Sequence, residues 1–185
     1  MIDGVKTARE LVTRRWTVVR EALTPATAAA LVEAAPSTWR DEESPTGGGV
    51  TFSSSVTGMA LGDSAQEVRR VGTQVLQSLD VDAPPFNEVT WNRYAPGEGH
   101  ISMHRDPPGV GGVIAVFTLY GEATFTIEDQ AEFPVAPGDL VLLAGNTWPH
   151  EFDRCIRHAA SRPLDGERMI LTFRHNLNGA GASYF

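Results

Sequence analysis

Val113-Ile-Ala-Val-Phe-Thr-Leu-Tyr-Gly-Glu-Ala-Thr-Phe-Thr-Ile-Glu128, followed by Glu132-Phe-Pro-Val135 and by Pro137-Gly-Asp-Leu-Val-Leu-Leu143, decides the fold of this chain. β-branched and aromatic residues recur in short runs, and Gly121, Asp129 and the Pro137-Gly138-Asp139 triplet punctuate them as turns. Working outward, the period of two begins at Asn87 and persists almost to the end. It predicts strands over 87–95, 101–106, 113–120, 122–128, 132–135, 139–143, 155–160 and 168–175. Short strands in succession with turn chemistry between them form a two-sheet, jelly-roll-like sandwich. The fold class is therefore mainly β (α+β), with helices on one sheet.

The helices lie before that run. Thr24-Pro25 opens an alanine-rich helix reaching Ala35, with Thr24 as N-cap and Pro25 at the first helical position, where its missing N–H costs nothing. Ser64-Ala-Gln-Glu67 reads as a capping box, after which Val68, Val71, Val75, Leu76 and Leu79 recur on one helical face. Residues 41–58, rich in Ser, Thr and Gly, read as a long mobile loop of the kind that frames a site. At 185 residues the chain suits one domain, 1–185, with 1–86 as helical support and loops and 87–176 as the β core.

Composition removes several classes. With 42% hydrophobic and 21% charged residues the sequence is neither disordered nor collagen-like, and no apolar run is long enough to span a bilayer. The N-terminus lacks the basic start and apolar stretch of a signal peptide. One cysteine, Cys155, excludes an internal disulfide and a thiolate metal cage, so a cytoplasmic location is expected. A net charge of −8 disfavours a polyanionic partner. Arg154, Arg157 and Arg162 gather near His158, and a solvated surface explains them better than a phosphate site.

His104-Arg-Asp106 carries the chemistry. Residues two apart on a strand share a face, so His104 and Asp106 can reach one ion while Arg105 points away. With a second imidazole they could hold one face of Fe(II), leaving positions for O2 and an oxidisable partner. His158 and His150 compete for that third place. His158 is preferred because the turn 161–167 returns the chain to Arg168 on an adjacent antiparallel strand, whereas His150 follows a proline-bearing loop. His100 and His175 fit no pattern and read as surface residues.

On the last strand Arg168, Ile170, Thr172 and Arg174 share one face, and Met169, Leu171 and Phe173 the other. Buried arginines need anions, and a dicarboxylate supplies two. Six extended residues separate the two arginine Cα atoms by roughly 20 Å, so the strand must bend if both serve one small ligand. Asn92 and Tyr94 share a face on the first strand and could add neutral hydrogen bonds.

The ordered set Trp91-Asn-Arg-Tyr-Ala-Pro-Gly-Glu-Gly99, His104-x-Asp106 and Arg168-x-x-Leu-Thr-Phe-Arg174 resembles the AlkB-like branch of the Fe(II)/2-oxoglutarate oxygenases. The resemblance covers about residues 87–176 and implies a double-stranded β-helix. It implies that His104, Asp106 and His158 bind Fe(II), that Asn92, Tyr94, Arg168 and Arg174 hold the co-substrate 2-oxoglutarate, and that O2 is the second co-substrate. The expected reaction is hydroxylation of a C–H bond, or oxidative loss of an N-methyl group. A small-molecule, amino-acid or protein substrate is expected. Repair of alkylated DNA or RNA is the alternative, which the acidic charge and the lack of a basic nucleotide-recognition lid disfavour. A non-catalytic jelly roll binding a metal or a small acid is the rival from another class.

Overall fold

Three amphipathic or capped segments and eleven strands make up the computed structural model, which describes residues 3–43, 50–58, 66–148 and 155–179. In chain order they are α1 (Gly4–Arg14), β1 (Trp16–Val19), α2 (Pro25–Glu33), β2 (Arg40–Glu43), β3 (Val50–Gly58), α3 (Gln66–Leu79), β4 (Glu88–Tyr94), β5 (His100–His104), β6 (Val110–Tyr120), β7 (Ala123–Ile127), β8 (Ala131–Val135), β9 (Leu140–Ala144), β10 (His158–Ala160) and β11 (Arg168–Asn176). Thr24 caps α2 as expected, accepting from the Thr27 N–H at 3.1 Å, with Pro25 in the first turn. Along α3, Val68, Val71, Val75 and Leu79 of the predicted face are buried and Leu76 is partly buried; Ser64 of the proposed capping box lies outside the described residues.

Hydrogen bonding runs without a break along β1-β9-β6-β11-β4-β3-β5-β10-β7-β8, antiparallel throughout, with β2 added beside β3. The ribbon folds over on itself. Val116, Val141 and Ile170 from one arm pack with Phe125, Ile127 and Val135 from the other, and Trp16 of β1 stacks on Phe133 of β8 with ring centroids 5.4 Å apart. This is the two-sheet jelly roll with helices on one sheet. The helices cover the outer face of the larger arm, where Leu11, Leu31, Val71 and Val75 meet Trp91, Phe117, Leu142, Leu171 and Phe173. Gly138, with φ at +90°, makes the turn that returns the chain into β9, a conformation that favours glycine.

Two expectations need correction. Residues 41–58 are not one long loop, because β2 and β3 occupy both of its ends, and β3 sits between β4 and β5 where the two arms join. Arg40-Asp-Glu-Glu43 and Ser53-Ser-Ser55 have little intrinsic strand preference, and the ladder bonds that β4 offers to β3, and β3 to β2, override it. The strand expected over 155–160 begins at His158, while β1, near the N-terminus, is an added edge strand on β9. None of the helices among the described residues is long and apolar enough to cross a membrane.

Candidate active site

His104 ends β5 and His158 begins β10, and the two are direct cross-strand partners. Partners opposite each other present side chains on the same face, and the two imidazoles lie with ring centroids 4.3 Å apart. Asp106, two residues on, comes back to that face, so one ligand atom from each of His104, Asp106 and His158 lies within 4.8 Å of the others. Backbone carbonyls orient the rings. Nδ1 of His104 donates to the Ser102 carbonyl at 2.9 Å and Nδ1 of His158 to the Ile156 carbonyl at 3.2 Å. A carbonyl can only accept, so each Nδ1 carries a proton, which in the neutral ring leaves the Nε2 lone pair for the cluster. The Phe125 ring stacks on His158 at 5.6 Å.

Charges are set by burial and by one arginine. Burial pushes His158 down to about 4 against a weaker pull from Asp106, keeping it neutral at physiological pH. Burial alone would raise the Asp106 carboxyl; Arg174, whose Nη2 is 3.1 Å from Oδ1, together with His158 and His104, outweighs it and holds the group below the usual carboxylate range. Oδ2 of Asp106, buried and 3.6 Å from His158 Nε2, accepts no hydrogen bond from the described residues. Lone pairs from two imidazoles and a carboxylate thus point at one another, which repels unless a cation lies between them. Two imidazole nitrogens and one carboxylate oxygen suit Fe(II), so the donor set fits.

The second cluster lines the inner face of β4 and β11. Arg168 is opposite Tyr94, and Ile170 is opposite Asn92. Arg168 is only 1% exposed; its Nε and Nη1 have no acceptor among the described residues, and its guanidinium lies 5.3 Å from the Tyr94 ring centroid. Burial lowers its pKa, with Tyr94 acting weakly the other way. Tyr94 is itself raised, chiefly by burial, against Arg168, a hydrogen bond from Asn92, and Arg174. Both guanidiniums therefore act on one phenol, and the register of β11 against β6 breaks between Met169 and Ile170 and between Phe173 and His175. All four expected co-substrate residues share this inner face, but Arg174 already commits one nitrogen to Asp106.

His150 and Arg154 lie outside the described residues. Arg157 pairs with Glu128 and Arg162 is exposed, so neither faces the triad. Nδ1 of His100 meets the Glu98 carbonyl and that of His175 the Pro85 carbonyl, both away from the cluster. Sequence reasoning missed Phe125, which the alternation of its strand could have placed inside, and the Arg174–Asp106 contact, which no spacing reveals. A cavity of about 860 Å³, lined by Leu23, Pro25, Ala28, Val32, Leu119 and Pro137, lies under α2 and touches none of these groups.

No protein-family model matches the sequence, and no curated protein matches it. Solved structures do resemble it. A prolyl-4-hydroxylase from Pseudomonas putida superposes with a TM-score of 0.65 at 18% identity, covering 92% of this chain and 97% of that one. The fold is that of the 2OG-Fe(II) oxygenases. An oxidoreductase of the 2OG-Fe(II) oxygenase family from Burkholderia pseudomallei gives 0.66 at 15% identity, covering 96% and 93%. A Trichoplax adhaerens prolyl hydroxylase, solved with a hypoxia inducible factor peptide, gives 0.68 at 9% identity, covering 93% and 88%. At such identities the likeness establishes the fold, and the chemistry rests on the residues.

Proposed function

We propose that this chain is an Fe(II)- and 2-oxoglutarate-dependent dioxygenase that hydroxylates a C–H bond of a small-molecule, amino-acid or protein substrate. Loss of an N-methyl group as formaldehyde is the same chemistry directed at a methyl carbon. The observation that carries the proposal is the pairing of a cation-demanding triad with an anion-demanding guanidinium: His104, Asp106 and His158 together, and the buried Arg168, whose Nε and Nη1 have no acceptor among the described residues.

In this reading the triad holds the metal by three positions and leaves the others open. Bound iron would couple O2 reduction to oxidative decarboxylation of 2-oxoglutarate, giving succinate and CO2. The chain's own share is positioning. Arg168 anchors one carboxylate of the co-substrate at the deep end, with Tyr94 and Asn92 alongside, while Arg174 orients Asp106 and adds positive charge near the other carboxylate. Apolar walls from Ile127, Phe125 and Ile170 exclude water from the reacting centre.

The AlkB-like kinship is part of the proposal and rests on the Trp91–Gly99, His104-x-Asp106 and Arg168–Arg174 motifs. Nucleic-acid repair is disfavoured by the net charge of −8 and by the engagement of Arg157 with Glu128. A small acid could fill the cavity without turnover, so the test is turnover itself. Purified protein with Fe(II), ascorbate, O2 and 2-oxoglutarate should release succinate, slowly alone and faster with a true substrate from a panel read by mass. No succinate from a protein that binds both iron and 2-oxoglutarate would favour the non-catalytic module.

A further inference from the structure

Pro25, Ala28, Ala29, Val32 and Glu33 of α2 line the cavity of about 860 Å³ that lies under that helix. Their spacing, i, i+3, i+4, i+7 and i+8, makes one continuous stripe along the helix. Ala28 and, across from it, Leu119 near the end of β6 are buried and form the floor, while Pro25 and Ala29 are exposed at the rim. Alanine is too short to fill the space between the two elements, so the cavity stays open along the stripe. One end of it is fixed by backbone. The Leu23 N–H donates to the Gly138 carbonyl at 3.1 Å, and a Cβ at Gly138 would come within 2.9 Å of the Leu23 carbonyl oxygen. A volume of this size falls in the range of small-molecule sites, roughly 300–1,000 Å³.

The polar side chains that line it are of two kinds. Thr24 is engaged by its own helix, its Oγ1 accepting from the Thr27 N–H at 3.1 Å, and the Tyr120 hydroxyl donates to Glu167 Oε2 at 2.7 Å. Glu21 and Glu33 are exposed at the rim and form no ion pair among the described residues. Arg20, beside Glu21 in the chain, is committed to Asp139 and to the Pro134 carbonyl. Glu21 is itself held in place, with φ at 51° and its N–H donating to Asp139 Oδ1 at 3.1 Å. No lysine or arginine lines the cavity. A carboxylate or phosphate ligand would therefore meet two like charges and no cation, whereas an ammonium group meets its complement. We infer that this cavity is a second ligand site, for a small organic amine whose apolar chain lies along Ala28, Val32 and Leu119 and whose protonated nitrogen pairs with the carboxylates of Glu21 and Glu33. Burial of the chain supplies most of the affinity, and the exposed carboxylates select the sign of the charge. None of the lining residues belongs to the triad or to the inner face of β11, so the site stands whether or not the protein turns over 2-oxoglutarate.

The test titrates the full chain at neutral pH with n-octylamine, n-octanol and octanoate, three probes with the same chain and different heads, while the alanine methyl resonances are followed by NMR. Saturable shifts at Ala28 and Ala29 are expected with octylamine, several-fold weaker binding with octanol, and weaker binding still with octanoate. Glu21→Gln and Glu33→Gln should each weaken octylamine about twofold to fivefold, as befits exposed ion pairs, and the double variant should no longer distinguish octylamine from octanol. Ala29→Trp, a replacement at an exposed helix position, should fill the space and weaken octylamine about tenfold or more, with circular dichroism confirming that the fold persists. The absence of saturable shifts in the parent, binding of octanol or octanoate as tight as that of octylamine, or octylamine binding unchanged in Ala29→Trp or in the double glutamine variant would each overturn the inference.

Discussion

The two faces of β11 are built from the same nine residues and live under opposite rules. Met169, Leu171 and Phe173 turn outward beneath the helices with Val89 and Trp91 of β4, and there even the indole is satisfied, its Nε1 donating to the Leu31 carbonyl at 2.9 Å. Arg168, Thr172 and Arg174 turn inward with Thr90, Asn92 and Tyr94. On that side Arg168 Nε and Nη1, Arg174 Nε, Thr90 Oγ1, Asn92 Oδ1 and Asp106 Oδ2 are buried with no hydrogen-bond partner among the described residues. Each such group costs on the order of 1–3 kcal/mol when left unsatisfied. One face stabilises the fold, and the other spends some of that stability on a shape that only a cation and an anion complete.

The contrast is broken most sharply by paired substitutions on one strand. Leu171→Ala should cost about 2–5 kcal/mol of stability in urea unfolding, the usual loss for a buried leucine, while metal and 2-oxoglutarate binding by the folded fraction persist. Arg168→Met should do the reverse. An apolar replacement of a buried unpaired charge leaves stability unchanged or higher, whereas 2-oxoglutarate affinity falls by about 2–5 kcal/mol in calorimetry. Loss of stability in Arg168→Met as large as in Leu171→Ala would make the arginine structural.

At the triad, His158→Ala should weaken Fe(II) binding about a hundredfold or more and stop 2-oxoglutarate turnover, since two ligands remain. His150→Ala should keep the metal. The opposite pattern in an iron-binding titration would move the ligand role to His150.

A smaller effect concerns pH. His158 is held down to about 4 in the folded protein, against an ordinary value near 6.5. Between those values the unfolded chain takes up a proton that the folded chain refuses, so the metal-free protein loses stability as pH falls through that window. The loss is at most about 1.4 kcal/mol per pH unit. Asp106, held below its ordinary range, adds a further loss at more acidic pH, in the same direction. Urea unfolding at several pH values checks this, and His158→Asn should flatten the upper part of the slope. The smallest effect is on nucleic acid, where binding to oligonucleotides should be weak and salt-sensitive; sub-micromolar binding near physiological salt would favour the repair reading.

Much of this was legible in the sequence because strand alternation is a strict rule. It placed His104 with Asp106, excluded Arg105 from the triad, and put Arg168 and Arg174 on the face opposite Leu171. It could not find β2 and β3, whose charged and serine-rich residues become strands only because β4 and β5 offer ladders to β3, and β3 offers one to β2. Nor could it separate the roles of the two arginines. Which anion an inward arginine meets depends on the register breaks of β11 and the path of the chain after β5, and neither is written in a period of two. His158 was preferred from the length of the following turn, and the pairing of β10 with β5 places it directly opposite His104.

The most direct measurement is an anaerobic titration of the Fe(II)-loaded protein with 2-oxoglutarate, followed in the visible spectrum and by calorimetry. A completed site should give a weak metal-to-ligand absorption band that saturates at one equivalent, requires both iron and 2-oxoglutarate, and is absent in Arg168→Met at the same concentrations. If the metal-replete protein shows no band and no calorimetric binding of 2-oxoglutarate, the inner face of β11 is not a co-substrate site and the oxygenase reading fails.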